Sequence, residues 1–496
     1  MAALAAAPLA VVLAAMALLH WPALWAGLAG LGVAAALAAF AFALPGGAGD
    51  AAGVAAEAFS TTATILWIIL PALTLYELQT RAGAFERLRA GLTALSPDRG
   101  VQVLLIAWFF GLFMEGAAGF GTPVALAAPL LVGLGVVPVR AVALALLGHC
   151  AGVSFGAVGT PVLAQVAATG LDGVAIAGAT ALLHLAVAGL LAVLVMRLAS
   201  EAPLDAAQVG LALLAAFAFT LPATALAVLA GPEVATLGGA LIGGACFAAL
   251  VRARAGRAAG AGAGDRTTDW RLADVLPYLL IVALVLASRL IGPLTEVLAA
   301  PRWGWTLAEG RFSGGIQPLY HPGSLLAAGL IVAALASGRG RLIGPALAAA
   351  AARLVPVAAA LLAMLLLARL MVHAGMIDAL AQGAAGAGAL WPLLAPAIGV
   401  LGTFVTGSAT ASNILFTGFQ VQTAQALGLG AVPMAAAQGF GAAIGNAVAP
   451  HNIIAGSATV GLAGREGAVL ALTARPVALC TLAAGVLLLG WTAAGG

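Results

Sequence analysis

The chain has 496 residues, of which 63% are hydrophobic and only 7% are charged. A soluble protein of this length carries charge on about a quarter of its residues, so the composition excludes a soluble globular fold. The net charge of +3 is small and falls in loops, which argues against a nucleic-acid partner. Cys150, Cys246 and Cys480 lie far apart, without metal-binding or redox spacing. The composition predicts an all-α polytopic membrane protein.

Apolar runs of about 15 to 22 residues recur along the chain, and this length suits a helix that crosses a bilayer. The first run, residues 4–19, has no basic segment ahead of it, so we expect a retained span rather than a cleaved signal peptide. Together with several broken runs, the pattern predicts about 12 to 14 transmembrane segments. The clearest later runs are residues 61–78, 174–196, 276–290, 355–370 and 469–490.

Arginines are concentrated in three loops, at residues 81–99, 252–271 and 339–341, and lysine is absent. Short loops rich in positive charge lie mostly in the cytoplasm. We therefore expect all three loops on that side and the N-terminus outside. A polar linker rich in Arg and Gly, near 252–274, separates the two halves of the chain.

Two sequence markers recur in the same order and with nearly the same separation. RAGAFERL at 81–88 corresponds to HAGMIDAL at 373–380, and LGVVPVRAV at 134–142 corresponds to LGAVPMAAA at 429–437. If the charged loops are cytoplasmic, the two copies cross the membrane in opposite directions, as in the inverted repeats of secondary transporters. The alternative is that Ala/Gly-rich helices resemble each other through composition alone. The predicted regions are N-terminal spans at 1–50, a first repeat at 51–200, middle spans at 201–340 and a second repeat at 341–496.

Four stretches rich in small and polar residues interrupt the apolar pattern, at 116–123, 148–161, 406–413 and 441–452. Unpaired backbone is costly in lipid, so such breaks must lie within protein or beside a water-filled cavity. We predict that they surround one polar chamber near mid-membrane, where helix N-termini favour a small anion. Glycine-rich helix packing is the alternative for any single stretch. The predicted substrate-binding residues are Gly119, Thr122, Ser154, Thr160, Thr406, Ser408, Thr410, Ser412, Asn413, Asn446 and Asn452.

Three ionisable residues at these breaks are candidates for coupling transport to protons: Glu115, His149 and His451. Ionisable side chains within a membrane are rare and usually functional. A partly desolvated carboxylate or an imidazole can bind and release a proton near neutral pH. The alternatives are a helix end at the membrane surface for Glu115 and a structural hydrogen bond for each histidine.

Glu77 and Arg369 occupy equivalent positions of the two copies. They could pair with each other or hold a substrate carboxylate, and the alternative is that both extend to an interface. The remaining residues are interpreted as an interfacial anchor at His20, a polar helix contact at His184, and solvated loop charges at Arg465, Glu466 and Arg475.

The sequence around Glu115 resembles the signature of the L-lactate permease family of proton-coupled transporters for lactate and glycolate. The similarity starts from EGAAGFGTPVALAAPLLVGLG at 115–135 and runs in order over 61–199 and 353–490. It implies a symporter that moves L-lactate, or a related short 2-hydroxy monocarboxylate such as glycolate, with protons by alternating access. It also implies a multi-pass protein of a bacterial plasma (inner) membrane, without a cofactor or metal. Further similar strings are ALSPDRGVQ at 94–102, FGAVGTPVL at 155–163, GSATASNILF at 407–416 and TVGLAGREG at 459–467.

The chain departs from the family pattern at Ala409, where an acidic residue is usual, and at Asn446, where a lysine is usual. His149 and His451 stand where relatives tend to have Asn and Gln. These departures bear on which short monocarboxylate is carried. A sodium-coupled carboxylate transporter is the alternative, and an intramembrane enzyme is a remote one, because no H-E-x-x-H, paired aspartates or Ser–His arrangement is present. The expected partners are the carboxylate, protons or sodium, and lipid, with a homo-oligomer left open and no nucleic acid.

Overall fold

The computed structural model describes residues 1–19, 21–42, 44, 46–96, 98–119, 121–259, 271–462 and 464–493. His20 and residues 260–270 of the predicted linker lie outside the described residues. The first half contains α1 (Ala2–Ala17), α2 (Ala23–Leu37), α3 (Gly47–Arg81), α4 (Ala84–Ala94), α5 (Arg99–Val103), α6 (Gly111–Ala117), α7 (Thr122–Gly133), α8 (Pro138–Cys150), α9 (Gly156–Thr169), α10 (Gly173–Ala199), α11 (Ala206–Ala230) and α12 (Pro232–Ala259).

The second half is also helical, and it adds one two-stranded sheet. Its helices are α13 (Leu272–Leu290), α14 (Gly292–Ala299), α15 (Pro322–Ala336), α16 (Ile343–His373), α17 (Met376–Ala384), α18 (Trp391–Thr406), α19 (Ala409–Ala426), α20 (Ala431–Gly445), α21 (Pro450–Thr459) and α22 (Glu466–Ala493). Its strands are β1 (Trp303–Leu307) and β2 (Phe312–Ile316). Short π-helical turns occupy Ala38–Phe42 and Leu104–Phe110, and 3-10 turns occupy Val153–Phe155, Gly340–Leu342, Ala385–Leu390 and Asn446–Val448.

In the part of the chain that the structure describes, 10 helices are long and apolar enough to cross a membrane. Helix α8 and the segment Val153–Thr169, bent by 60° at a short break, are together long and apolar enough for either one broken span or a re-entrant loop. The prediction of a polytopic helical membrane protein with broken helices is confirmed. Three shorter apolar helices, near α1, α7 and α15, add to the long ones.

The antiparallel hairpin of β1 and β2 was not predicted from the sequence, and it is the part of the fold that is not helical. Trp303 pairs with Ile316 and Leu307 with Phe312 across a tight turn in which Gly310 has a positive φ. Phe312 is buried against α3, and Arg311 forms an ion pair with Asp50 at the start of that helix (2.9 Å). The hairpin therefore packs over the first turns of α3.

Helices α3 and α16, which end at the first pair of matching strings, pack side by side in opposite directions. Glu77 near the end of α3 pairs with Arg353 early in α16 (2.9 Å), whereas Glu57 near the start of α3 pairs with His373 (2.9 Å). The predicted pairing of Glu77 with Arg369 is therefore wrong, because antiparallel packing places these two residues at opposite ends. Arg369 lies 3.7 Å from Glu57 instead.

The three arginine-rich loops meet at Asp274, a buried residue at the start of α13. Its carboxylate accepts hydrogen bonds from Arg87 of α4 and from Arg339 before α16, each at 2.6 Å. The Asp274 backbone carbonyl accepts from Gln79 near the end of α3 (2.6 Å). These contacts bring Arg87 of the first loop, Arg271 at the end of the second and Arg339 of the third to one side of the molecule.

Two helical hairpins are formed, one by α5, α6 and α7 and one by α18 and α19. Arg99 at the start of α5 donates to Gly135 O just after α7 (2.7 Å), so α7 returns to the side from which α5 began. In the second hairpin, Ser412 of α19 donates to Gly399 O of α18 (3.1 Å), and Gln420 donates to Ala395 O (2.9 Å). The first hairpin starts on the Asp274 side, and the second follows the opposite end of α16.

Candidate functional site

All four predicted breaks are present, and each lies where one helix ends and another begins. The first hairpin turns between α6 and α7, where Gly119 (φ +58°) and Gly121 (φ +79°) have left-handed backbone. A residue with a side chain adopts such a φ only at a cost of about 1 to 2 kcal/mol, so glycine is favoured there. The second hairpin turns between α18 and α19 at Gly407 (φ +69°), and the Ser408 side chain caps α19 by accepting from Ala411 N (3.3 Å).

The break between α8 and α9 has an unusual backbone. Ala157 (φ +42°) and Val158 (φ +57°) have left-handed conformations, which are strained for residues with a Cβ and most of all for a β-branched one. Such strain persists only when neighbouring structure imposes it. Helix α12 packs on this break: Thr236 donates to Gly152 O (2.7 Å), and the start of α12 leaves no room for a side chain at Gly159.

A chain of four polar side chains joins the breaks of the two halves. Glu115 Oε2 lies 3.9 Å from His149 Nε2, and His149 Nε2 lies 3.3 Å from Asn446 Oδ1. Asn452 in turn donates to Asn446 O (3.2 Å) and to Gly407 O at the second hairpin (3.5 Å). Glu115 and His149 are 5% and 1% exposed, so a carboxyl group and an imidazole meet inside the protein.

The hydrogen bonds of His149 indicate where a proton must lie. Its Nδ1 is 2.6 Å from Ala145 O, and a carbonyl only accepts, so Nδ1 carries a hydrogen. In a neutral ring Nε2 is then an acceptor, yet it faces Glu115 Oε2 and Asn446 Oδ1. The Asn446 amide, at 3.3 Å, satisfies Nε2 of a neutral ring through its NH2 group, or Nε2 of a protonated ring through its carbonyl oxygen. The Glu115 carboxylate, at 3.9 Å, lies beyond hydrogen-bond distance in either case.

The surroundings of Glu115 favour its neutral form or a bound partner. Among the described residues, the Glu115 carboxylate has no hydrogen bond, and its one ionic contact is His149. Two glycines make room for Oε1: a Cβ at Gly119 would sit 3.3 Å from it, and a Cβ at Gly156 would overlap it. Taking an unpaired carboxylate out of water costs several kcal/mol, so Glu115 needs a proton or a cationic partner at this position.

Most predicted hydroxyl groups stabilise the breaks by donating to backbone carbonyls. Thr122 donates to Gly119 O (2.7 Å), Thr160 to Ala157 O (2.6 Å) and Thr406 to Gly402 O (2.8 Å). Asn413 joins the halves by donating to Pro161 O (3.0 Å). Thr410 is buried close to this turn. The structure thus brings Gly119, Asn446 and Asn452 to Glu115 and His149, and it uses Thr122, Thr160, Thr406, Ser408, Ser412 and Asn413 within the hairpins and breaks.

The histidines take different positions. Ser154, which donates to Gly439 O (3.0 Å), accepts from His184 Nε2 (2.9 Å), so the interpretation of His184 as a polar helix contact agrees with the structure. His451 is exposed and packs against Gly407, and within the described residues it forms no hydrogen bond or ion pair. The proton-carrying role of His451 stays a prediction.

Arg475 lies inside α22 and not in a loop, since the apolar helix continues on both sides of it.

Sequence reasoning missed two groups of buried polar residues. Gln165 of α9 donates to Ala435 O of α20 (2.7 Å) and so joins the two halves beside the breaks. Gln438 donates to Ser412 Oγ (3.1 Å) within the second half. Glu57 is the centre of a second group with Arg369 and His373. A charge within an apolar run was the available signal for Glu57, but its partners lie in α16, far away in sequence.

The family model described as L-lactate permease matches residues 1–300 and 316–491. An L-lactate permease of Streptococcus iniae is 30% identical over 383 residues, covering 75% of this chain and 80% of that protein. The glycolate permease of Escherichia coli is 28% identical over 463 residues, covering 83% and 81%. A solved structure, the YdaH transporter of Alcanivorax borkumensis, is similar with a TM-score of 0.46 and 17% identity over 89% of this chain and 88% of that one. That likeness is too distant to support an argument. The two sequence comparisons show that the chain belongs to the L-lactate permease family and is a multi-pass membrane transporter.

Proposed function

We propose that the protein is a secondary active transporter that moves L-lactate, or a related short 2-hydroxy monocarboxylate such as glycolate, together with protons. The observation that carries this proposal is the contact between Glu115, His149 and Asn446, which brings a carboxyl group and an imidazole together where breaks of the two halves meet. The names of the relatives point to lactate and glycolate as substrates.

The substrate carboxylate would bind beside Glu115 and His149. Helices α7, α9, α19 and α21 all begin at the breaks, and each has at least ten residues. A helix N-terminus presents backbone N–H groups and a partial positive charge, which attract an anion. Protonated Glu115 could donate to the bound carboxylate, and the deprotonated form would repel it. Binding of the acid and binding of the proton are therefore linked at one place.

Alternating access would use the opposition of the two repeats. Helices α3 and α16 pack in opposite directions, and the two hairpins start from opposite sides of the molecule. Corresponding breaks would then open in turn to the two faces of the membrane, as in inverted-repeat transporters. Both openings would share one region of the protein, around Gly119, Thr122, Asn446 and Asn452.

Sodium coupling through backbone carbonyls of the breaks is less well supported. Gly119 O and Ala157 O each accept a hydrogen bond from the Thr122 and Thr160 hydroxyls, which uses one of the two lone pairs of each carbonyl. Within the described residues there is no group of three His, Cys, Asp or Glu side chains that could hold a metal ion. Both facts favour a proton as the coupled ion.

Uptake by proteoliposomes tests the proposal. Radiolabelled L-lactate, glycolate, pyruvate and acetate are offered with an alkaline interior and no sodium, and separately with a sodium gradient at equal pH. Protein-free liposomes correct for diffusion of the neutral acids. We expect protein-dependent accumulation of the 2-hydroxy acids with the pH gradient alone. Accumulation driven by sodium alone would overturn proton coupling, and no accumulation of any acid would overturn the proposed function.

A further inference from the structure

Arg369 is a partly buried cation, with 21% of its side chain exposed, whose hydrogen-bonding capacity is only partly used. Its Nη2 donates to Ala167 O (2.5 Å), and its Nη1 lies 3.7 Å from Glu57 Oε2. Among the described residues, its buried Nε has no hydrogen-bond partner. A guanidinium group binds a carboxylate best through two parallel N–H donors, and the Nε edge of Arg369 is the edge that remains available.

The Glu57 carboxylate makes its hydrogen bonds with residues other than Arg369. Its Oε2 accepts from His373 Nε2 (2.9 Å), and its Oε1 accepts from Ser313 N of strand β2 (3.1 Å). Since the contact with Arg369 is longer than a hydrogen bond, Glu57 lowers the cost of burying the guanidinium without using its donors. Arg369 therefore keeps room for a second anion.

A cavity of about 20 Å³, which has room for about one water molecule, lies directly beside Arg369, between α9, α16, α17 and α19. A carboxylate would therefore fit only after these helices separate. Apart from the guanidinium its lining is apolar, with Leu365, Val372 and Ile414 among the residues. One cation in an apolar lining suits an anion with one charge and a short apolar body. A dicarboxylate would have to place its second charge against these aliphatic side chains, which is costly.

The cavity lies at the opposite end of α16 from Arg339 and the Asp274 contacts, on the side that the arginine distribution makes external. Ala167 and Ala168 belong to the last turn of α9, whose first residue, Gly156, lies beside Glu115. The same helix thus connects the Arg369 cavity to the proton site. An acid could enter when α9 separates from α16 and releases Arg369 from Ala167 O.

We infer that Arg369 and this cavity form an outer binding station, where a short monocarboxylate is held by the guanidinium before it reaches Glu115. This inference rests on the proposed function, and it adds a site for the same class of substrate. Glu57 positions the guanidinium, and the aliphatic lining rejects dicarboxylates.

The test is exchange of labelled for unlabelled L-lactate in right-side-out membrane vesicles, with variants Arg369→Gln and Arg369→Lys. The matched control is Arg353→Gln, which removes an arginine from the same helix at its ion pair with Glu77. We expect Arg369→Gln to raise the half-saturating external L-lactate concentration at least about tenfold. Arg369→Lys should raise it less, because lysine keeps the charge but not the paired donors. The control should remain within about twofold, and malonate should not compete in the wild type.

A double variant separates substrate binding from neutralisation of Glu57. If Arg369 holds the substrate, Glu57→Gln with Arg369→Gln keeps the raised half-saturating concentration. Recovery of the wild-type value would overturn the inference, because Arg369 would then serve only Glu57. An unchanged half-saturating concentration in Arg369→Gln, with a lower maximal rate, would also overturn it. A wild-type protein that exchanges none of the acids would overturn the proposed function and this inference together.

Discussion

Gly156 tests whether the space around Glu115 matters for transport. Its backbone (φ −64°, ψ 158°) suits any residue, so Gly156→Ala adds no backbone strain. The new Cβ would overlap Glu115 Oε1, however, and the carboxyl group must move. Overpacking of this kind costs about 1 to 3 kcal/mol of stability. Displacement of a functional group by about 1 Å can lower a rate on the order of a hundredfold, so we expect proton-driven L-lactate uptake to fall at least about tenfold.

Gly121→Ala is the matched control. Gly121 has left-handed backbone, and no atom lies within 4 Å of the position that a Cβ would take. The substitution should cost about 1 to 2 kcal/mol through strain alone, which is similar to Gly156→Ala, but it leaves Glu115 in place. Thermal unfolding in detergent measures the stability of both variants, and proteoliposome uptake measures their transport. Equal transport by the two variants would refute the reasoning, because contact with Glu115 would then have no consequence.

Three further predictions concern other parts of the molecule. Gly119→Leu and Ser408→Leu should abolish L-lactate exchange while membrane expression persists, since each fills a hairpin turn; normal exchange by both would place the site elsewhere. Burial, together with nearby Arg289, lowers the pKa of His321 before α15 to about 4. The folded protein therefore prefers the neutral His321 ring. The stability that this neutral ring contributes is complete above the unfolded pKa of about 6.5, and it is lost as pH falls from there towards 4. His321→Asn, which can keep the helix cap, should remove that part of the pH dependence in thermal unfolding, and an unchanged pH profile would exclude His321. An experimental structure should superpose the first repeat on the second by rotation about an axis in the membrane plane, and copies that cross in the same direction would exclude inversion.

The sequence was informative about where helices break and about which chemistry gathers there. Glycine, proline and hydroxyl residues within apolar runs have few structural explanations in a membrane, so the breaks near Gly119, Val158, Gly407 and Asn446 could be located in advance. Glu115 and His149 followed from the same rule, because each is ionisable and lies at a break. The repeated strings also indicated that α3 and α16 correspond.

Pairing between distant elements could not be predicted in this way. Equivalent positions suggested that Glu77 meets Arg369, but the antiparallel register of α3 and α16 brings Glu57 to Arg369 and Glu77 to Arg353. That register depends on the packing of two long helices and has no local sequence signal. Hydroxyl groups were likewise predicted to face a substrate, whereas Thr160 donates to Ala157 O and others donate to carbonyls nearby. Exposed backbone at a break must be satisfied first, and a nearby threonine does this most simply.

The central claim is that Glu115 carries the proton that is coupled to the carboxylate. Glu115→Gln keeps the shape of the protonated side chain but cannot release a proton, and Glu77→Gln is the control because it changes a glutamate far from the breaks. Both exchange of labelled for unlabelled L-lactate and accumulation driven by a pH gradient are measured in the same proteoliposomes. We predict that Glu115→Gln retains exchange and loses accumulation, while Glu77→Gln retains both. Accumulation of L-lactate by Glu115→Gln under a proton gradient alone would contradict the account and leave Glu115 a structural residue.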